Sequence, residues 1–369
     1  MRKAKRIIST YAADTSGAVS ALYELGGLSV IHDASGCGST YTTHDEPRWY
    51  DMPSMVAITA LTEIDAVMGN DRKIVGDILS AMELHRPRFV SITSTPVPYI
   101  MGTDLDAVAK EVERQSGVPS WYCPSNGMHP YTETVSSGLI SYLSRFVPKR
   151  KRNPRFSVNL VGVTPLDFIS QKRVDAIVAY LEDSGIPVCS VLAMGCGIEG
   201  VARSSEASLD LVVSSSGLPV ARFMEAEYGI PWIVGLPYGK RASEILGTAL
   251  KTGMPVPVVP ASGKKTIAVI GEGVQNSSIL SNCPDFAHLS ITPVGKVAEG
   301  DIEMEGEEEI ASCLKEVDYV IADPLYRPIV PETARFIPFP HFAFSGRLAK
   351  DDGVEPVGEG LDHILEEIK

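Results

Sequence analysis

Ser35-Gly36-Cys37-Gly38 is the stretch whose residue types and spacing most directly suggest chemistry. A cysteine set between Gly36 and Gly38 directly after a short apolar run, Leu28 to Ile31, lets the backbone bring a thiolate close to a bulky cluster, and thiolate is the ligand that iron–sulfur chemistry requires. A free cysteine is also a common small core residue, and that reading competes with it. Six cysteines are present, Cys37, Cys123, Cys189, Cys196, Cys283 and Cys313, with no C-x-x-C pair, so neither a disulfide scaffold nor a zinc ribbon is indicated. Any metal site must be assembled from separate loops. Cys196, in Met-Gly-Cys-Gly, could face a cavity or be a plain loop residue; Cys189 and Cys313 read as core, and Cys283 carries no signal.

Further polar groups follow predicted strands. Ser214-Ser215-Ser216-Gly217 closes one strand and opens a helix, so its hydroxyls and free N–H groups suit an anionic group such as a carboxylate, or serve as an ordinary N-cap. Gly271-Glu272-Gly273 resembles a dinucleotide fingerprint, but Asn276 stands where the third glycine belongs, and NAD is not expected. Arg327, His341 and Arg347 lie after strands late in the chain; they could bind carboxylates or donate protons over a cavity, or form surface salt bridges. We take His341 and Arg347 as catalytic candidates and Arg327 as a binding candidate. His44-Asp45-Glu46 reads as a solvated loop, because adjacent residues seldom converge on one site.

The elements that must position these groups alternate. Strand-like runs such as Leu28 to Ile31, Arg88 to Thr93 and Val118 to Tyr122 are separated by helical patterns, for example Ile74, Val75, Ile78, Leu79 and Met82. Ser94-Thr95-Pro96-Val97-Pro98 reads as a loop, and Asp301 to Glu309 as the solvated start of a helix. The alternation implies an α/β protein built of doubly wound parallel sheets. Pro148 to Arg155, with two prolines and five basic residues, reads as a linker and a solvated hinge, giving three Rossmann-like units over 1–150, 151–260 and 261–369.

Composition narrows the class. The chain has 369 residues, 44% of them apolar, and a net charge of −13, which disfavours nucleic acid and anionic membrane as partners. No apolar run approaches the roughly 20 residues of a membrane span. The N-terminal stretch lacks a secretory pattern, so a soluble cytoplasmic protein is expected.

Four segments carry a family resemblance: the Cys37 loop; Thr62-Glu63-Ile64-Asp65-Ala66-Val67-Met68-Gly69 with Asp71 and Lys73; Met101-Gly102-Thr103-Asp104-Leu105; and Glu227-Tyr228-Gly229-Ile230-Pro231-Trp232. In this order they resemble the nitrogenase component 1 family, which includes the protochlorophyllide and chlorophyllide reductases and the nickel-sirohydrochlorin reductive cyclase. The resemblance implies three Rossmann-like domains around a central cavity, and a subunit pair onto which an iron–sulfur P-loop ATPase docks. Electrons would pass through an iron–sulfur cluster at the subunit interface to a small-molecule substrate in the cavity. No G-x-x-x-x-G-K-[ST] run is present, which agrees with a separate ATPase.

Of the family's three cluster cysteines, the first falls near Thr10, the second is Cys37 and the third falls near Thr95, so Gly36, Gly38 and Thr95 are expected around the cluster. No cysteine stands at 212–215, where the family's molybdenum cofactor is anchored, so that cofactor and dinitrogen reduction are not expected. Ser214 and Ser215 are retained there as binding candidates. If two copies pair symmetrically, Cys37 and Cys123 from each would supply the four thiolates of a [4Fe–4S] cluster. Otherwise a component-1-like paralogue, or oxygen ligands such as Asp14 or Asp33, would complete it. The alternative function is a non-catalytic scaffold or carrier for a metal cofactor or cluster precursor.

Overall fold

The computed structural model describes residues 5–36, 38, 46–52, 55–255, 263–349 and 355–368, apart from the side chains of Arg347, Ala349 and Glu367. Cys37, His44 and Asp45 lie outside the described residues. The first unit contains β1 (Leu28–His32), β2 (Met55–Ile58), β3 (Val90–Ser94) and β4 (Ser120–Tyr122), with α1 (Asp14–Leu22), α2 (Glu63–Met68), α3 (Asp71–His85), α4 (Pro96–Met101), α5 (Leu105–Ser116) and α6 (Tyr131–Phe146). Its strands pair in parallel in the order β2-β1-β3-β4. β1 and β3 are buried at every position, and their polar side chains find partners inside the sheet, Ser29 Oγ and Ser91 Oγ sharing a hydrogen at 3.2 Å. α5 shows how local sequence sets an element: Asp104 accepts the Ala107 N–H, Leu105, Val108, Ala109 and Val112 face inward, and Gly117 closes the helix in the left-handed region. Gly17 lets α1 lie against α6, since a Cβ there would meet the Tyr131 carbonyl oxygen at 2.1 Å.

The second unit holds β5 (Val158–Val161), β6 (Val188–Val191), β7 (Leu209–Val212) and β8 (Trp232–Val234), with α7 (Pro165–Phe168), α8 (Gln171–Asp183), α9 (Gly197–Ala202), α10 (Gly217–Tyr228) and α11 (Lys240–Thr252). The third holds β9 (Thr266–Ile270), β10 (Ala287–Thr292), β11 (Asp301–Glu303), β12 (Tyr319–Ala322) and β13 (Arg335–Pro338), with α12 (Gly273–Ser281), α13 (Glu307–Cys313), α14 (Phe342–Ser345) and α15 (Gly360–Leu365). Their sheets run β6-β5-β7-β8 and β11-β10-β9-β12-β13, again parallel.

Three segments differ from the sequence reading. Pro96 to Met101 is a helix, because prolines in a first turn lack N–H groups that would have no partner anyway. Asp301–Glu303 is an edge strand on β10, fixed by the Asp301 carboxylate, which accepts the Val297 and Ala298 N–H groups at 2.9 and 2.8 Å. Residues 355–362 return to the second unit, where Gly358 N donates to the Pro237 carbonyl and the Asp362 carboxylate accepts the Lys240 N–H. The basic stretch 148–155 is strapped down: Arg150 pairs with Glu206, and Lys149 and Arg152 donate to the carbonyls of Glu227 and Gly229. No helix among the described residues is long and apolar enough to cross a membrane.

Asp210, inside β7, is fully buried with Asn159 Nδ2 donating to Oδ1 at 2.7 Å. Burial pushes its carboxyl up to about 7. Because the folded state favours the protonated form, this contribution to stability is complete below the ordinary value of 3.8 and is lost as pH rises through about 7. Asp210→Asn is therefore expected to match the wild type near pH 4 and to exceed its stability by on the order of 3 kcal/mol at pH 8, measured by urea denaturation at both pH values.

Candidate functional site

In an open parallel sheet, ligands bind beyond the carboxyl ends of the strands where the strand order reverses. The first unit reverses between β1 and β3, and Asp33 and Thr95 follow these two strands. Asp33 is buried, and its carboxylate holds the site together: Oδ1 accepts the Thr95 hydroxyl at 2.7 Å and Oδ2 accepts the Gly38 N–H at 2.8 Å. Its carbonyl accepts the Leu61 N–H at 2.8 Å, which fixes the approach to α2. Thus the Cys37 loop, Thr95 and the start of α2 are fastened to one residue. Asp14, also buried, accepts the Asn126 and Gly127 N–H groups at 2.9 and 2.7 Å and joins α1 to the segment after β4.

His32 closes β1 beside Asp33. Its Nδ1 shares a hydrogen with Thr59 Oγ1 at 2.8 Å, and burial lowers its pKa, so the imidazole is neutral at pH 7. It borders a cleft lined also by Asp65, Lys73, Asp71 and Thr103. On the cleft's outer wall Thr62 and Asp65 form a reciprocal cap of α2, and Lys73 binds Asp65 at 3.0 Å. α2 buries none of its side chains; Ile64, Val67 and Met68 are 74%, 85% and 74% exposed, and Ile100 on α4 is 79% exposed. Contiguous exposed apolar side chains mark interaction surfaces.

The second and third units present their own reversal points to one another. In the second, Ser214 Oγ donates to the Gly162 carbonyl and shares a hydrogen with Ser216 Oγ at 2.6 Å, and a Cβ on Gly162 would meet Gly217 N at 2.8 Å. In the third, Glu272 caps α12: its carboxylate accepts the Val274 and Gln275 N–H groups, and Oε1 also accepts the Ser215 N–H at 2.6 Å. The acidic group that meets the Ser215 N–H is therefore supplied by the chain itself. The same side chain stands between the two glycines of the dinucleotide-like turn. Asn276 replaces the third glycine with an amide that donates to Ser290 Oγ and the Ile291 carbonyl.

Around Glu272 the junction is closed. Tyr131 donates to Asp167 Oδ1, Gln275 Nε2 donates to the Asp167 carbonyl at 3.1 Å, and His341 Nε2 lies 3.4 Å from Asp167 Oδ1. His341 stacks on Phe344 at 4.4 Å and is held through its backbone N–H by Asp323 Oδ2 at 2.8 Å. His341 thus stands beside Asp167 in a packed interior, not over an open cavity.

Other candidates are placed apart from both sites. Arg327 is exposed, with its guanidinium 5.4 Å over the Phe336 ring, because the turn after β12 points Tyr326 inward in its place. Gly346–Ala349 forms a turn, but the Arg347 side chain lies outside the described residues. Cys123 is not presented at the rim: it is 1% exposed within the apolar cluster of Phe89, Trp121 and Tyr142, and burial pushes its thiol up to about 12. Asp14 and Asp33 each have both oxygens accepting a donor of the chain itself. Among the described residues no group of three or more His, Cys, Asp or Glu is arranged to hold a metal ion. The described residues therefore do not supply the ligand set of a cluster within one chain.

Three doubly wound parallel units, with Gly38 and Thr95 fastened to Asp33 at the reversal point of the first, define the class. The sequence profile of the nitrogenase component 1 type oxidoreductases matches residues 14–266, and the chain belongs to that family. It is 25% identical over 231 residues to the nitrogenase iron-molybdenum cofactor biosynthesis protein NifE of Methanosarcina barkeri, a match covering 53% of this chain and 49% of that protein. It is 24% identical over 215 residues to a light-independent protochlorophyllide reductase polypeptide of Heliobacterium modesticaldum, covering 58% and 41%. The chain thus spans about half the length or less of the curated relatives it matches. Among solved structures, nitrogenase Cp1 at pH 6.5 superposes with a TM-score of 0.73 at 17% identity, covering all of this chain and 93% of that one, which shows the fold.

Asp33→Ala removes two buried charge-assisted hydrogen bonds and should cost about 2–4 kcal/mol by urea denaturation. Asp33→Asn keeps the Oδ1 acceptor for Thr95 and should lose roughly half of that.

Proposed function

We propose that this chain is a component-1-like subunit of a nitrogenase-like, ATP-dependent two-component reductase, and that it acts within a hetero-assembly. The observation that carries this reading is the first-unit rim. Asp33 fastens the Cys37 loop and Thr95 together, and α2 and α4 beside them expose Ile64, Val67, Met68 and Ile100. Cys37 would contribute one thiolate to an iron–sulfur cluster, the group through which the family's electron transfer runs. Because Cys123 is packed in the core and Asp14 and Asp33 serve as acceptors for the chain's own loops, the other ligands of a [4Fe–4S] cluster would come from partner chains. A component-1-like paralogue fits this need better than a second copy, which would add a single further rim thiolate. The apolar helices suit docking of that paralogue or of an iron–sulfur ATPase.

The same shortage of ligands supports a second reading, a scaffold or carrier for a metal cofactor or cluster precursor. The similarity to a cofactor biosynthesis protein agrees with it.

Anaerobic purification of the chain produced together with its partner proteins separates the two. Bound iron and sulfide, with an EPR signal that changes on dithionite addition and disappears in Cys37→Ala, are expected for the reductase subunit. Protein that carries no iron under these conditions, yet stays in complex, would establish the scaffold reading. Val67→Glu with Ile100→Glu, both at exposed positions, should leave thermal stability unchanged and weaken partner binding roughly tenfold or more in a pull-down titration.

A further inference from the structure

The junction between the second and third units holds two buried carboxylates, Asp167 and Glu272, both 0% exposed. Glu272 spans the units. It caps α12 of the third and accepts the Ser215 N–H at the start of α10 in the second. Asp167, after β5, receives the Tyr131 hydroxyl from α6 of the first unit and lies near His341 from the third. Its Oδ2 has no partner, nor do the ring nitrogens of His341 or the hydroxyl of Ser215. One small volume therefore joins all three units, and it contains two acids, of which Asp167 keeps one oxygen without a hydrogen-bond partner.

We propose that this junction is a proton-operated latch. With a proton on Glu272, its carboxyl bolts the third unit to the second. When that proton leaves, the two carboxylates repel in a water-poor site and the bolt opens.

The groups facing Glu272 and Asp167 from every packed element enter the balance. Tyr131 on α6 and Tyr238 ahead of α11 are both held well above the usual phenol range by burial, so they remain neutral. Arg173 on α8 and Glu355 act on Tyr238 with opposite sign. Burial, then the Asp167 charge, raises the Glu272 carboxyl, while the N–H groups of Val274, Gln275 and Ser215 oppose that rise. The folded junction therefore favours the protonated form, and its contribution to stability is present at low pH and lost as pH rises. This inference stands on the junction alone and not on the reading of Cys37, so each can fail without the other.

The test is hydrogen exchange of the full-length chain, resolved at the amides of Ser215, Val274 and Gln275 and expressed as protection factors between pH 6 and 9.5. For one proton controlling the opening, protection should fall about tenfold per pH unit in the alkaline part of the range. Val30 and Ile92, in the first-unit sheet, should not follow. Glu272→Gln and Asp167→Asn should each flatten the dependence at the junction amides; if one variant fails to fold, the wild-type slope and the other variant decide. A flat wild-type profile, a slope shared by Val30 and Ile92, or a slope retained in either folded variant would overturn the latch.

Discussion

A carboxylate removed from water must be given donors, and this chain uses that requirement to hold its strand-end loops. Asp14, Asp33, Glu272 and Asp323 are each buried and each accept N–H or O–H groups from a segment beyond their own strand end or helix start. Asp33 ties the Cys37 loop to Thr95, Asp14 ties α1 to the segment after β4, Glu272 ties unit three to unit two, and Asp323 sets His341. Breaking such a hydrogen bond leaves a buried group unsatisfied, which costs more than the bond itself contributes. The sheets supply the platform; these four acids decide where the loops stand on it.

The sheets are legible in the sequence because Leu28 to Ile31 and Arg88 to Thr93 are short runs rich in apolar and β-branched residues, set between segments with helical periodicity. The Pro96 helix is not, since Ser-Thr-Pro-Val-Pro has the composition of a loop and only the N-terminal tolerance for proline makes a helix of it. Asp301–Glu303 is hidden by its acidity: an edge strand beside β10 leaves outward positions free for charge. At the site, Cys37 stands out through its two flanking glycines. Asp33 reads in sequence only as a ligand, although its position as the first residue after a strand at a reversal point is also where a loop needs an anchor.

Cys123 and Glu272 show the limit more sharply. A cysteine one residue past a strand is read as a rim residue from topology, yet the side toward which it turns depends on strand pleat and on whether a helix covers it. Here it joins Phe89 and Trp121 in the core. Gly271-Glu272-Gly273 has the outline of a phosphate-binding turn, and its geometry does hold an acidic group at a helix start. That group is the side chain of the turn itself, which no local pattern announces because its other donor, Ser215, is 57 residues away.

The helix α2 spans six residues and rests on its caps, not on buried side chains. Isolated helices of that length are unstable, so its order comes from the Thr62–Asp65 box, the Lys73 ion pair and the Asp33 carbonyl behind it. Its outward residues consequently answer to no packing demand inside the chain. Ile64, Val67 and Met68 are thus free of the packing that constrains a core residue, so a change in their size or polarity alters the surface of this helix and leaves its caps in place.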